Sequence, residues 1–246
     1  MNAFITGGSR GIGRAIVLKF VREGYGCAFT YASNNQAAEE TRALARDINP
    51  DIMVEAYRLD QGQSAEVESI VDEAMEVFGD IGILVNNAAI NRNNAVAFMS
   101  DEEWEDVIRT NLSGPFYLIR QFLMPMIGNR FGRIINISSL AQDGASGQAG
   151  YAASKGGLVT LSRTVAREYG AKGITCNVVT VGYVETDLTD DQLAENLSSI
   201  WLEYCPMKRV GEADEIADAV HYFTTEKAGF INGEVLRIAG GLSYIP

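Results

Sequence analysis

The sequence predicts an α/β fold built as one domain, a doubly wound, mostly parallel sheet of about seven strands with helices on both faces. Three observations predict it. Short apolar runs alternate with longer helical patterns along all 246 residues. The runs are apolar throughout, as strands covered from both sides must be. No Pro/Ser-rich linker, low-complexity run or internal repeat divides the chain.

The candidate strands are Ala3–Thr6, Gly26–Tyr31, Met53–Arg58, Ile83–Asn86, Arg133–Ser138, Ile174–Thr180 and Glu234–Ile238. Helical patterns near 12–23, 35–47, 63–78, 101–128, 150–170 and 213–224 separate them. Strands joined through helices at this spacing form right-handed βαβ units. Ligands of such sheets sit at the carboxyl ends of the strands, near the switch in strand order. Motifs at those ends therefore carry the most weight.

Composition removes several classes of function. Hydrophobic residues make up 47% and charged residues 21%, as in ordinary water-soluble domains, and no apolar stretch is long enough to span a bilayer. The start, Met1-Asn-Ala-Phe-Ile5, lacks the basic and long apolar regions of a secretory signal, so a cytoplasmic location is expected. A formal net charge of −12 disfavours nucleic acid and anionic membranes as general partners. Cys27, Cys176 and Cys205 are odd in number, far apart and set among apolar neighbours, which suits core residues better than a disulfide framework or zinc cluster. The single histidine, His221, falls in the last helical pattern, which disfavours a Ser-His-Asp hydrolase and a histidine-rich metal site; no metal is expected.

Directly after the first strand comes Thr6-Gly7-Gly8-Ser9-Arg10-Gly11-Ile12-Gly13, which runs into a helix. Glycines at 7, 11 and 13 allow a tight turn, close approach of a pyrophosphate and packing of helix on strand, with the helix N-terminal amides facing the anion. This is a Rossmann-like dinucleotide loop. An acid at the end of the second strand would bind the ribose 2′-hydroxyl of NAD. Here Tyr31-Ala32-Ser33-Asn34 holds none, Ser33 or Asn34 can donate to a 2′-phosphate, and Arg10 supplies positive charge. NADP(H) is expected over NAD(H).

Tyr151-Ala-Ala-Ser-Lys155 opens a helix, which puts phenol and ammonium one turn apart on one face. A free tyrosine titrates near ~10, and a neighbouring ammonium favours the phenolate left behind when it donates a proton.

With these motifs the chain resembles the short-chain dehydrogenase/reductase family over essentially its whole length. The Thr6–Gly13 loop, Asn86-Asn87-Ala88, Asn111, Ser138-Ser139, Tyr151 and Lys155 follow the family's order. The resemblance implies a cofactor-binding N-terminal half and a catalytic C-terminal half within residues 1–246. It implies that serine steadies the substrate oxygen, Tyr151 is the acid or base, Lys155 holds the nicotinamide ribose, and Asn111 anchors a relay water. A polar Asn111 with Pro115 four residues on fits a locally opened helix; a cap or core hydrogen bond is the alternative. Counting forward from Asn111 in the family's spacing selects Ser139; counting back from Tyr151 selects Ser138. The loop after the serines tolerates length changes more readily, so Ser139 is preferred. The resemblance further places Gly7, Ser9, Arg10, Gly11, Ile12, Gly13, Tyr31, Ala32, Ser33, Asp60, Gln61, Asn87, Ala88, Tyr151, Lys155, Val184 and Thr186 around the cofactor, with Asp60 at the adenine. Ala89 and Val181-Gly182 depart from the family's Gly and Pro-Gly and reshape the nicotinamide pocket.

Within the family the chain is similar to 3-oxoacyl-[acyl-carrier-protein] reductases and to related acetoacetyl-CoA and polyketide ketoreductases. The residues that carry this are Thr-Gly-Gly-Ser-Arg-Gly-Ile-Gly13, Gly-Arg-Ile-Ile-Asn-Ile-Ser-Ser139, Gly-Gln-Ala-Gly-Tyr151 and Gly-Ile-Thr-Cys-Asn177. Enoyl reductases of that pathway carry lysine six residues after tyrosine, and residue 157 here is glycine. The implied function is NADPH-dependent reduction of a 3-oxoacyl thioester, on acyl carrier protein or CoA, in fatty-acid or polyketide-type biosynthesis. Arg130 and Lys172 match positions that dock the acidic carrier, and a homotetramer through the helices near 101–128 and 150–170 is implied. Residues 185–207 are expected to cover the substrate. The alternatives are an NADP-dependent alcohol, polyol or hydroxysteroid dehydrogenase and a non-enzymatic cofactor sensor on the same fold.

Overall fold

Along the first strand Ala3 and Ile5 enter one apolar cluster and Phe4 enters another, because successive side chains of extended chain point to opposite faces. The same division recurs with Ile83 and Val85 against Leu84, and with Ile135 and Ile137 against Ile134. The computed structural model describes residues 1–184 and 199–245. Its strands are β1 (Asn2–Ile5), β2 (Gly26–Tyr31), β3 (Val54–Arg58), β4 (Ile81–Asn86), β5 (Gly132–Ser139), β6 (Ile174–Val181) and β7 (Val235–Ile238). They form one sheet in the order β3-β2-β1-β4-β5-β6-β7, every neighbouring pair parallel. The predicted doubly wound fold is therefore present, with its switch between β1 and β4.

Helices α1 (Gly11–Arg22) and α2 (Asn35–Ile48) pack on one face through Val17, Phe20, Val21, Ala38 and Ala45. Helix α3 (Ser64–Phe78) packs on the other through Val67, Val71 and Ala74. Cys27 and Cys176 lie in the two sandwich cores, and Cys205 in a third apolar cluster with Leu140, Trp201, Ala239 and Leu242 beside the carboxyl ends of the strands. All three thiols are buried and free.

The helical pattern near 101–128 resolves into three pieces. Helix α4 (Asp101–Ile108) starts at a reciprocal cap between Ser100 and Glu103. A π-turn over Arg109–Ser113 follows, and then α5 (Gly114–Asn129). The cause is Pro115, whose ring nitrogen has no N–H. Gly114 N–H bonds to the Arg109 carbonyl five residues back, so Thr110 is left facing proline. Its carbonyl is taken instead by the Gln61 side-chain amide at 2.8 Å. Helix α6 (Ala149–Tyr169) packs beside α5 with Val165 in the same core, and α7 (Ala213–Thr224) lies against α1. Among the described residues no helix is long and apolar enough to cross a membrane.

His221 is a helix residue of α7, as expected, with its ring 5.9 Å from Phe20 and 5.6 Å from Tyr25, edge-on to both. Burial against these rings lowers its pKa, while Glu23 and Asp218 oppose and Lys19 reinforces that shift. The folded chain then takes up a proton at lower pH than the unfolded chain, so stability is full above about 6.5 and falls below it. The melting temperature of the parent chain is expected to fall more between pH 7.5 and 5 than that of His221→Gln; parallel falls in calorimetry would refute this.

Candidate active site

The loop after β1 is shaped before any ligand arrives. Gly7 and Gly11 have φ of 68° and 54°, the left-handed region that favours glycine. A Cβ on Gly13 would run into the Gly7 carbonyl and the Asn87 amide, so α1 can approach the strand only with glycine there. Thr6 is fully buried, and its hydroxyl accepts the N–H groups of Asn87 at 3.0 Å and Ala88 at 2.9 Å. The Asn87 side chain donates back to the Thr6 carbonyl at 2.9 Å and the Gly7 carbonyl at 3.3 Å. It therefore shapes the loop. Ser9 presents its carbonyl to Arg14 at 2.7 Å and to the Thr41 hydroxyl at 3.0 Å. Arg14 and Thr41 were not legible as site residues, because their tie to Ser9 joins α1 to α2 across the fold.

At the end of β2, Asn34 caps α2 by accepting from Ala37 N–H, and the Tyr31 hydroxyl donates to Asn35 at 2.7 Å. Ser33 and Arg10 are exposed beside them. Register adds a residue the sequence reading missed: β3 pairs Arg58 with Tyr31, and the Arg58 side chain donates to the Ala32 carbonyl at 3.2 Å. Asp60 accepts from Gly62 N–H at 2.9 Å in the following turn. Gln61 is buried and donates to the Ala88 and Thr110 carbonyls.

Adjacent residues of a strand face opposite ways, and this separates the two serines. Ser138 is 1% exposed and donates to Gln142 at 2.8 Å. Ser139 caps the turn after β5 by accepting from Ala141 N–H at 3.2 Å, and its hydroxyl lies near enough to the Tyr151 phenol to lower that group's pKa. Lys155 is buried, with Nζ 2.7 Å from the Ile137 carbonyl and 5.5 Å from the Tyr151 ring centroid. Burial lowers the lysine to about 8. Burial raises Tyr151, and the Ser139 hydrogen bond pulls it partly back. Asn111 is 1% exposed at the middle of the π-turn. Its amide donates to the Ile90 carbonyl and its oxygen accepts from Ile90 N–H, both at 2.8 Å, with Ser154 at 3.3 Å.

The structure thus brings Ser139, Tyr151 and Lys155 together at the carboxyl end of β5, with Asn111 joined to the same turn of α6 through Ser154. Val184 is buried in the α1/α7 core and bridges to Gly211; Thr186 and most of the expected substrate-covering segment lie outside the described residues. The backbones that carry Arg130 and Lys172 are neighbours, since a Cβ on Gly173 would strike the Arg130 carbonyl. They stand at the amino ends of β5 and β6, roughly 30 Å along the 21-residue α6 from Tyr151.

A dinucleotide fits this site. The N-terminus of α1 has no side-chain cap and no acid in its first turn, which leaves its positive end for a pyrophosphate.

This fold and site define a class: the chain belongs to the short-chain dehydrogenase/reductase family of nicotinamide-dependent oxidoreductases. A family model described as enoyl-(acyl carrier protein) reductase matches residues 7–243. Among particular proteins, the chain is 38% identical to 3-oxoacyl-[acyl-carrier-protein] reductase FabG of Staphylococcus epidermidis over 98% of both chains. It is 40% identical to the protein of that name from Salmonella typhimurium, over 99% of this chain and 97% of the relative. The crystal structure of levodione reductase superposes with a TM-score of 0.91 at 31% identity, over 98% of this chain and 97% of the other. A double mutant of a Serratia marcescens short-chain dehydrogenase/reductase gives 0.89 at 34%, with the same coverage.

Holding an ammonium in a dry site costs stability; the drop from 10.5 to about 8 corresponds to roughly 3 kcal/mol. Because the folded pKa is depressed, this cost is full below pH 8 and disappears as pH rises toward 10.5. Lys155→Met is therefore expected to melt at higher temperature than the parent at pH 7, with the difference shrinking between pH 8 and 10. A lower melting temperature at pH 7 in scanning calorimetry would contradict this.

Proposed function

We propose that the chain is an NADPH-dependent ketoreductase that converts a 3-oxoacyl thioester, carried on acyl carrier protein or CoA, to its 3-hydroxyacyl form in fatty-acid-type biosynthesis. The observation that carries the reading is the Ser139–Tyr151–Lys155 arrangement in a chain similar over nearly its full length to 3-oxoacyl-[acyl-carrier-protein] reductases. Residue 157 supports a keto rather than an enoyl substrate. Glycine there lets α6 pass the Leu112 side chain, which a Cβ would meet at 2.9 Å, and the lysine that enoyl reductases carry at this spacing is absent.

The bound nicotinamide supplies the hydride. Ser139 and Tyr151 present two hydroxyls to one point, where the substrate carbonyl oxygen is held. Tyr151, kept protonated near neutral pH by burial, gives that oxygen its proton. The phenolate left behind is stabilised by the Ser139 hydroxyl and by the Lys155 ammonium, still largely charged at pH 7. Lys155 holds the nicotinamide ribose. Asn111, its side chain committed to Ile90, holds a relay water through the backbone of the π-turn. Gly7, Gly11, Ile12 and Gly13 cradle the pyrophosphate.

Arg130 and Lys172 dock the carrier. At their distance from Tyr151 the docked carrier serves the site of a neighbouring subunit, which ties delivery to the expected homotetramer. Assembly covers Phe116 and Met124, apolar and exposed on α5.

NADPH oxidation followed at 340 nm with acetoacetyl-CoA tests the reaction. Tyr151→Phe and Ser139→Ala are each expected to lower kcat by a factor on the order of 10² or more; full activity in Ser139→Ala would transfer its role to Ser138. Arg10 and Arg58 flank the open end of β2, and with Ser33 they hold the 2′-phosphate. Arg58→Ala is expected to weaken NADPH binding roughly tenfold, the scale of one charged hydrogen bond, and to leave NADH binding unchanged. Calorimetric titration showing equal losses for both cofactors would remove Arg58 from that role.

A further inference from the structure

Ser138 is a buried hydroxyl that the reaction does not use, and it leads to a second residue without an assigned role. Ser138 and Thr180 are cross-strand partners on β5 and β6, 1% and 0% exposed. Both donate to one atom, the Gln142 Oε1, at 2.8 and 2.9 Å. Gln142 lies in the short 3₁₀ turn Leu140–Asp143 that follows β5, and Ser139 caps this same turn. The backbone of the turn rests on α6, where a Cβ on Gly156 would come within 3.1 Å of the Gln142 carbonyl. One carboxamide oxygen therefore joins the ends of two strands to the turn that Ser139 caps, and that turn rests on Gly156, the residue after Lys155.

We propose that Gln142 is a positioning residue: by accepting from Ser138 and Thr180 it fixes the turn after β5 and so holds the Ser139 hydroxyl against Tyr151. The proposal rests on the ketoreductase reading only for its kinetic consequence. The loop between Ser139 and Tyr151 is a residue shorter than the family's usual spacing, and a tie at Gln142 fixes how that shorter span leaves the strand. On its outer side Gln142 lines an open, solvent-facing cavity of about 440 Å³ together with Arg163 and with Arg237 and Asp143, which pair at 3.3 Å. A carboxylate at residue 142 is therefore tolerated, and like the carboxamide oxygen it accepts from both hydroxyls.

The test compares Gln142→Met, which removes the acceptor, with Gln142→Glu, which keeps it. Three quantities are read: kcat with acetoacetyl-CoA, NADPH affinity by fluorescence, and the titration of Tyr151 followed by its ¹³Cζ resonance, assigned with Tyr151→Phe. For Gln142→Met, kcat falls roughly tenfold, the scale of a misplaced reacting group. NADPH affinity stays within about twofold of the parent, and the Tyr151 midpoint rises as the Ser139 hydrogen bond loosens. Gln142→Glu restores the parent kcat and the parent midpoint. An unchanged Tyr151 midpoint in Gln142→Met, or a Gln142→Glu variant as impaired as Gln142→Met, overturns the proposal. The resonance needs no substrate, so a parent chain inactive toward acetoacetyl-CoA would overturn the functional reading while the Tyr151 midpoints still decide the role of Gln142.

Discussion

One buried hydroxyl governs the crevice. Thr6 ends the first strand and accepts the N–H groups of Asn87 and Ala88 after the fourth, two segments that only the crossover order of the sheet makes neighbours. At this switch in strand order the flanking loops diverge, and something must keep them from closing over the gap. The Thr6 hydroxyl does so from below, and the Asn87 amide does so from the side through the Thr6 and Gly7 carbonyls. Because Gly13 must pass the Gly7 carbonyl and the Asn87 amide, the position of α1 follows from them. The glycine loop after β1, the turn after β4 and the start of α1 are thus set by a single knot.

The second half of the site depends on an opposite strategy, a charge kept where water does not solvate it. Lys155 donates to the Ile137 carbonyl, and burial lowers its pKa to about 8, so that it stays largely charged near pH 7 but at a cost. The same burial keeps Tyr151 protonated. Each group by itself is disfavoured in its charged form. Placed one turn apart, a phenolate at Tyr151 and the Lys155 ammonium would each offset part of the other's burial cost.

Much of this was legible in the sequence. The strands were readable because runs such as Ile174–Thr180 are apolar on both faces, and the dinucleotide loop because its glycines stand between a strand and a helix. What was not legible required pairing information. Arg58 reaches Ala32 only through the register of β2 with β3. Thr41 and Arg14 meet Ser9 only when α2 folds against α1. That the helix expected near 101–128 opens locally was signalled by Asn111 and Pro115, but the form of the opening was not, because a π-turn has no periodicity of its own. Asn87 was assigned from its place in a motif, whereas its side-chain partners depended on which way the amide turned.

The π-turn has an evolutionary consequence. A π-turn is an α-helix carrying one surplus residue. Deleting a residue within Arg109–Ser113 would close the wide turn to an ordinary α-turn, which leaves the flanking helices in register but moves the side chains and carbonyls of the turn itself. Asn111 would then leave Ile90, and the Thr110 carbonyl would leave Gln61. Exposed positions here, Arg109 among them, can change identity at little cost, but the number of residues cannot change. Along this stretch selection acts on the count of residues more strongly than on their kind, and related chains should differ here by substitution and almost never by insertion or deletion.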